Sequence, residues 1–135
     1  MQTVLIIDDE EKIRTLLTRI VSLEGFEVVH ANTAKSALRL LESTHVDVIL
    51  CDVKLPDAHG VELTQTIKSH YPHCEIILLT AYGTIHDGVQ AMKNGAFDYI
   101  TKGDDNNKII PLLYKALEKV SLQHRVKVLE KTLHT

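Results

Sequence analysis

The fold is decided by residues 46–52, whose sequence VDVILCD is a nearly continuous apolar run that ends in a carboxylate. Such a run is typical of a strand buried on both faces of a parallel sheet, although periodicity alone leaves a short buried helix open. The turn-forming sequence KLPDAHG follows at residues 54–60. We therefore expect Asp52 at the carboxyl end of a strand, at the sheet edge where ligands bind.

Strand-like and helix-like patterns alternate along the rest of the chain. Four further apolar runs are expected to be strands: residues 3–7, 27–31, 75–80 and 97–101. The segments between them repeat apolar residues at helical spacing, and a last helix is expected to start near Asp105. Five alternations predict an α/β fold, a flavodoxin-like doubly wound parallel sheet of strand order 2-1-3-4-5 with an extended C-terminal helix.

Polar side chains stand at or just beyond the ends of four of these strands. They are Asp8 with Asp9, then Asp52, Thr80 and Lys102. Parallel strands end at a common edge, and in this strand order the first and third strands are neighbours. We therefore expect three carboxylates, a hydroxyl and an ammonium group to meet in one crevice.

This set of groups suits one kind of chemistry. Three close carboxylates repel one another, and Mg²⁺ is a cation that prefers such oxygen ligands. An ammonium and a hydroxyl beside the metal favour phosphoryl transfer, in which a carboxylate can be the acceptor. Asp52 is the central candidate for that acceptor. The alternative is structural, because acids after a strand, such as Asp9 or Glu10, often only cap the next helix.

The ordered set of motifs resembles the receiver domain of bacterial two-component response regulators over residues 1–122. The matching motifs are Asp8-Asp9-Glu10, Asp52 with Leu55-Pro56 and Gly60, Thr80-Ala81, and Phe97-Asp98-Tyr99 leading to Lys102. The resemblance implies that Asp8, Asp9, Asp52 and the backbone carbonyl of Lys54 bind Mg²⁺. It also implies that Asp52 accepts a phosphoryl group from the phosphohistidine of a sensor histidine kinase.

The resemblance further implies a route for the signal. Thr80 and Lys102 would bind the phosphoryl oxygens, and Tyr99 would change rotamer together with Thr80. The output surface would be the face of the fourth helix, fifth strand and fifth helix, where Tyr82 and Ile85 are candidate contact residues. The alternative for Tyr99 is a half-buried aromatic side chain without a switching role.

One part of the sequence indicates the subclass of receiver. Residues 80–83 and 95–102 are similar to the nitrogen-regulation class, whose members also carry an AAA+ ATPase that acts on sigma-54 polymerase.

The family usually has a cis-linked proline after the lysine, whereas this chain has Gly103. A cis bond before a non-proline residue costs roughly 2.5–4 kcal/mol. We therefore hypothesise that the loop after Lys102 is looser than usual and holds the lysine less well.

The C-terminal residues 123–135 are expected to form a helical extension, or a linker toward an effector domain. A narrow apolar seam with 4-3-4 spacing supports this interpretation: Leu122, Val126, Leu129 and Leu133. We expect a homodimer through this helix and the face of the fourth helix, fifth strand and fifth helix. The alternative is that the seam is too short to pair and the end frays.

The bulk composition limits the other function classes. A net charge of −3 gives no reason to expect direct nucleic-acid binding by this segment. The chain begins without a basic signal-peptide region and has no apolar tract of spanning length, so a cytoplasmic protein off the membrane is expected. Receivers catalyse only their own phosphorylation and dephosphorylation. Two alternatives stay open: a pseudo-receiver that binds partners without phosphorylation, and a small Mg²⁺-dependent phosphohydrolase.

Overall fold

A computed structural model describes residues 2–102 and 106–133 of the chain. Strands and helices alternate throughout, as the sequence predicts. The elements in chain order are β1 (Thr3–Ile7), α1 (Glu11–Leu23), β2 (Glu27–Ala31), α2 (Ala34–Ser43), β3 (Val48–Asp52), α3 (Gly60–His70), β4 (Glu75–Thr80), α4 (Ile85–Lys93), β5 (Asp98–Thr101) and α5 (Asn106–Leu133).

The five strands form one parallel sheet in the order β2-β1-β3-β4-β5, which confirms the predicted topology. In the register of the central strands Ile7 pairs with Cys51, and Asp52 pairs with Leu79. The residues that follow β1, β3 and β4 therefore lie at the same edge. This edge is where the order changes direction, between β1 and β3.

The core has two layers because side chains alternate between the faces of each strand. On one face, Leu5, Ile49 and Leu78 pack against helices α2, α3 and α4. On the other face, Val4 and Leu50 pack with side chains of α1 and α5. Both faces of the sheet are covered by helices, which explains why β1, β3 and β4 are fully buried and read as continuous apolar runs.

The element boundaries differ from the sequence expectation by one or two residues. β3 begins at Val48 instead of residue 46, and the carboxylate of Asp47, just before the strand, accepts a hydrogen bond from the Thr3 amide, 2.9 Å away. β5 begins at Asp98 instead of Phe97. The expected start of the last helix near Asp105 lies outside the described residues, and α5 is described from Asn106.

Helix α5 continues well past the body of the domain, to Leu133. It contributes Ile109, Leu113, Ala116 and Leu117 to the core, whereas its side chains from residue 122 onward are exposed. The predicted extended C-terminal helix is therefore present. Within residues 2–102 and 106–133, no helix combines the length and apolarity needed to cross a membrane.

Candidate functional site

Three carboxylates meet at the carboxyl edge of the central strands. One ligand atom from each of Asp8, Asp9 and Asp52 lies within 4.8 Å of the others. Asp8 and Asp52 are buried, and Asp9 is exposed. Among the described residues this is the one cluster of three or more side chains with metal-ligating groups. The convergence expected from the strand ends is thus present for the acids.

Lys102 lies directly among the buried acids. Its Nζ atom is 2.8 Å from Oδ2 of Asp8 and 3.1 Å from Oδ2 of Asp52. The backbone of β5 directs this side chain inward, since the Lys102 amide donates to the Thr80 carbonyl at 2.6 Å. One ammonium therefore bridges two carboxylates contributed by β1 and β3.

The electrostatics of the site reflect burial and crowding. Burial raises the pKa of Asp52, and the nearby charge of Asp8 raises it further, while the ion pair with Lys102 acts in the opposite direction. Burial on its own lowers the pKa of Lys102, but its hydrogen bonds to Asp8 and Asp52 outweigh this and raise it. The site therefore holds three carboxylates, two of them buried, and one ammonium. A further cation would neutralise the negative charge that remains.

The loop after β3 is folded tightly against the end of the strand. Oδ1 of Asp52 accepts a hydrogen bond from the Lys54 amide at 3.3 Å. Gly60, the first residue of α3, approaches so closely that a Cβ atom there would lie 2.6 Å from the Asp52 carbonyl oxygen. Any larger residue at position 60 would displace the backbone that presents Asp52, which accounts for glycine at this position.

Thr80 lies at the same edge, at the end of β4, and is buried. Its hydroxyl oxygen accepts a hydrogen bond from the Tyr82 amide at 3.2 Å, so the hydroxyl is engaged with the loop that follows β4. The side chain of Tyr82 and that of Ile85 are 86% and 88% exposed, which leaves both available for contacts outside the domain.

Tyr99 is half-buried on β5 and faces helix α4. Its hydroxyl oxygen accepts a hydrogen bond from the Thr84 amide at 3.4 Å. A Cβ atom built on Gly88 would lie 3.4 Å from the ring, and one built on Gly83 would lie 3.5 Å from it. The ring therefore occupies space that two glycines leave open beside α4.

Two residues at the site escaped the sequence analysis. The guanidinium of Arg14 donates to the carbonyl of Asp8 at 2.9 Å. The carboxylate of Asp57 bonds to the start of helix α2, more than twenty residues away along the chain. Such contacts depend on the direction of a loop, which has no periodic signal in the sequence.

Two interpretations from the sequence remain: that the acids after β1 only cap α1, and that the loop at Gly103 is looser than usual. Glu10 occupies the position that caps α1, but its side chain makes no capping hydrogen bond. Asp8 does take part in the start of α1, because its Oδ1 atom accepts a hydrogen bond from the Glu10 amide at 2.9 Å. Gly103 lies outside the described residues, so the hypothesis of a looser loop after Lys102 stays a prediction.

Comparison with known proteins identifies the family. The model of the response regulator receiver domain matches residues 4–114. The chain is 34% identical over 132 residues to the regulatory protein AtoC of Escherichia coli, covering 98% of this chain and 29% of AtoC. It is 34% identical over 112 residues to the DNA-binding transcriptional regulator NtrC of Proteus hauseri, covering 83% of this chain and 24% of NtrC.

Solved structures agree with this assignment. The beryllofluoride-activated NtrC4 receiver domain dimer superimposes with a TM-score of 0.84 at 31% identity, covering 89% of this chain and 99% of that one. The chain thus spans less than a third of its full-length relatives, and the part it matches is their receiver. The chain belongs to the response regulator receiver domain family, with relatives in the nitrogen-regulation class.

Proposed function

We propose that the chain is a phosphorylation switch in which Asp52 accepts a phosphoryl group from the phosphohistidine of a sensor histidine kinase. The observation that carries the proposal is the arrangement around Asp52. Its buried carboxylate lies at a strand end with Asp8 and Asp9 within 4.8 Å and with the Lys102 ammonium 3.1 Å away. This arrangement combines a nucleophile, oxygen ligands for a cation and a positive charge for an anion.

The donor set fits Mg²⁺. Asp8, Asp9 and Asp52 offer only oxygen atoms, and Lys102 leaves part of their negative charge uncompensated. We propose these three carboxylates and the Lys54 carbonyl as the protein ligands. When bound, the metal ion neutralises charge on the phosphoryl oxygens during transfer.

In the proposed reaction, a carboxylate oxygen of Asp52 forms a bond to phosphorus and the bond from phosphorus to the kinase imidazole nitrogen breaks. The product on this chain is an aspartyl phosphate. Lys102 then exchanges its contact with Asp52 for a phosphoryl oxygen, and the Thr80 hydroxyl leaves the Tyr82 amide to donate to another. The chain would act on no substrate other than the phosphoryl group carried by its own Asp52.

The movement of Thr80 provides the link to the output surface. A phosphoryl group adds roughly 1.5 to 2 negative charges and strong acceptor oxygens, which draw the threonine inward. Tyr99 lies on the neighbouring strand with its ring against α4, so a change in its rotamer alters the packing of α4. The resulting shift in population affects the face of α4, β5 and α5, including exposed Tyr82 and Ile85.

We further propose that residues 1–122 form the receiver and that residues 123–135 connect it to an effector that regulates transcription. Two observations support this: relatives such as AtoC and NtrC extend far beyond the matched segment, and α5 continues as an exposed helix. Homodimerisation through α5 and the output face is the expected consequence of activation. The NtrC4 receiver, which is a dimer when activated, supports this expectation. Nucleic acid would then be bound by the effector and not by this segment. The cytoplasmic location stays a prediction.

Intact-mass spectrometry tests the proposal after incubation with Mg²⁺ and phosphoramidate. We expect one phosphoryl adduct on the wild type, none on Asp52→Asn, and loss of the wild-type adduct when Mg²⁺ is chelated. Asp47→Asn is the matched control, because it removes a carboxylate from the opposite end of the same segment and should keep the adduct. An adduct that persists on Asp52→Asn would contradict the assignment of the acceptor.

A further inference from the structure

Asp57, in the loop between β3 and α3, bonds to a different part of the domain. Its two carboxylate oxygens accept hydrogen bonds from the amides of Ala34 and Lys35, at 2.9 and 3.0 Å. These are the first two residues of α2, whose amides have no partner within the helix. Within the described part of the chain, Asp57 makes the only hydrogen bonds between loop residues 53–59 and α2.

Helix α2 does not depend on Asp57 for a cap of its own. The Thr33 hydroxyl accepts a hydrogen bond from the Ser36 amide at 3.0 Å, and Ser36 reaches back to the Thr33 amide at 3.3 Å. This is a complete capping box. Loss of Asp57 would therefore leave the helix capped, whereas the loop would lose its tether.

The loop itself is closed by two backbone hydrogen bonds. The Leu55 amide donates to the Ala58 carbonyl at 3.1 Å, and the Gly60 amide donates to the Val53 carbonyl at 2.6 Å. These two bonds close the loop, the Val53 amide bonds its start to the Leu79 carbonyl of β4 at 3.0 Å, and Asp57 bonds its far side to α2. Lys54, whose carbonyl is the proposed fourth metal ligand, lies inside this closed unit.

We propose that Asp57 is a positioning residue for magnesium: it holds the loop so that the Lys54 carbonyl joins the carboxylates of Asp8, Asp9 and Asp52. The inference rests on the proposed function. Asp57 does not itself belong to the cluster of metal-ligating groups, because its carboxylate is occupied at α2. It acts on the metal through the backbone of its own loop, as outer partners of metal ligands do.

The tether also couples helix α2 to the metal. Coupling between two sites is reciprocal, so a loop that binds Mg²⁺ better when tethered is also tethered better when Mg²⁺ is bound. Binding of the metal should therefore slow hydrogen exchange at the amides of Ala34 and Lys35, which donate to Asp57.

Isothermal titration with Mg²⁺ alone tests the proposal on the full chain. Asp57→Ala should weaken Mg²⁺ binding about tenfold, the lower end for outer partners of metal ligands. Asp57→Asn keeps one acceptor oxygen, so its Mg²⁺ affinity should fall less than that of Asp57→Ala. Thr33→Ala is the control, because it removes the helix's own cap without touching the loop, and it should bind Mg²⁺ as the wild type does.

Two further readouts separate positioning from loss of structure. Phosphorylation of Asp57→Ala by phosphoramidate should return to the wild-type rate at saturating Mg²⁺, which a general loss of structure would not permit. Exchange at Ala34 and Lys35 should slow with Mg²⁺ in the wild type and not in Asp57→Ala. Equal Mg²⁺ affinity in all variants, or an equal loss in Thr33→Ala, would overturn the inference.

Failure of the proposed function gives a different pattern. A wild type that binds Mg²⁺ but takes no phosphoryl group would contradict the phosphorylation switch, while the affinity difference between Asp57→Ala and Thr33→Ala would still decide the role of Asp57. A wild type that binds no Mg²⁺ would overturn both.

Discussion

At the residue scale, the site is built from side chains that follow directly on buried strands. Asp8, Asp52 and Lys102 could be predicted from the sequence because each stands at the end of a strand, and parallel strands end at one edge. The direct bonds of Lys102 to both carboxylates could not be predicted, since they depend on side-chain rotamers. Asp57 was missed for a related reason: its partners are set by the direction of a loop.

A pH dependence follows from Asp57. Its hydrogen bonds from the Ala34 and Lys35 amides lower the pKa of its carboxyl group below the ordinary value of 3.8. A lowered folded-state pKa contributes stability that is present above pH 3.8 and is lost as the pH falls through the folded-state pKa. We expect wild type to be more stable than Asp57→Asn at neutral pH and the difference to shrink below pH 3.8.

Urea unfolding of both proteins over this pH range measures the difference. Asp87→Asn, on the exposed start of α4, is the control for removal of one carboxylate. A difference between wild type and Asp57→Asn that stays constant down to the lowest pH at which both fold would contradict an ionised Asp57 tether.

At the element scale, helix α4 and strand β5 would link the site to the output surface in the proposed switch. Helix α4 contains Gly88, and glycine costs about 1 kcal/mol relative to alanine in a helix interior. The structure supplies a reason that the sequence could not: a Cβ atom at position 88 would lie 3.4 Å from the ring of Tyr99, already in contact with it. The glycine thus trades helix stability for space beside a tyrosine.

Gly88→Ala tests this trade. We expect the free energy of unfolding to rise by up to about 1 kcal/mol, because alanine favours the helix. We also expect phosphorylation to change hydrogen exchange in α4 less than in the wild type, because the added methyl group restricts the Tyr99 ring. His86→Ala, at an exposed position of the same helix, is the control and should stabilise the helix while leaving the response intact.

A second link at this scale joins α5 to the sheet at the edge opposite the acids. The carboxylate of Glu75 is fully buried, and its Oε1 atom lies 3.0 Å from Nζ of Lys119 and 3.5 Å from Nζ of Lys68. Among the described residues, its Oε2 atom has no hydrogen-bond partner. Lys119 therefore anchors α5 at the point where the helix begins to leave the domain.

Lys119→Met should lower the free energy of unfolding by about 2 kcal/mol. Breaking a fully buried pair costs more, but Lys119 is half exposed and Lys68 still partners the carboxylate. Urea unfolding measures the loss, and Lys115→Met, at an exposed position of the same helix, should change stability little. Equal effects of the two substitutions would show that the ion pair with Glu75 is not an anchor.

At the scale of the whole molecule, the alternation of apolar strands and helices predicted the α/β class, because both faces of the parallel sheet are covered by helices. The length of α5 was also expected, since the apolar spacing continues to Leu133. What the extension contacts could not be read from the chain, because at least half of each apolar side chain on its seam is exposed. Leu122, Val126 and Leu129 are 51%, 52% and 62% exposed.

Self-association tests the seam on the extension. Val126→Lys and Leu129→Lys should each weaken dimerisation of the phosphorylated protein about tenfold or more, because each removes an apolar side chain from the seam and adds a charge. Gln123→Lys, off the seam, should leave it unchanged. Sedimentation velocity measures the dimer fraction, and equal dissociation in all three variants would contradict pairing through the seam.

The central claim is that phosphorylation at Asp52 changes the packing of α4 and β5. Amide hydrogen exchange, followed with Mg²⁺ and phosphoramidate in wild type and in Asp52→Asn, tests it most directly. We predict altered exchange in Ile85–Lys93 and Asp98–Thr101 in the wild type alone. A wild type that carries the phosphoryl group but changes exchange only beside Asp8 and Asp52 would contradict the switch.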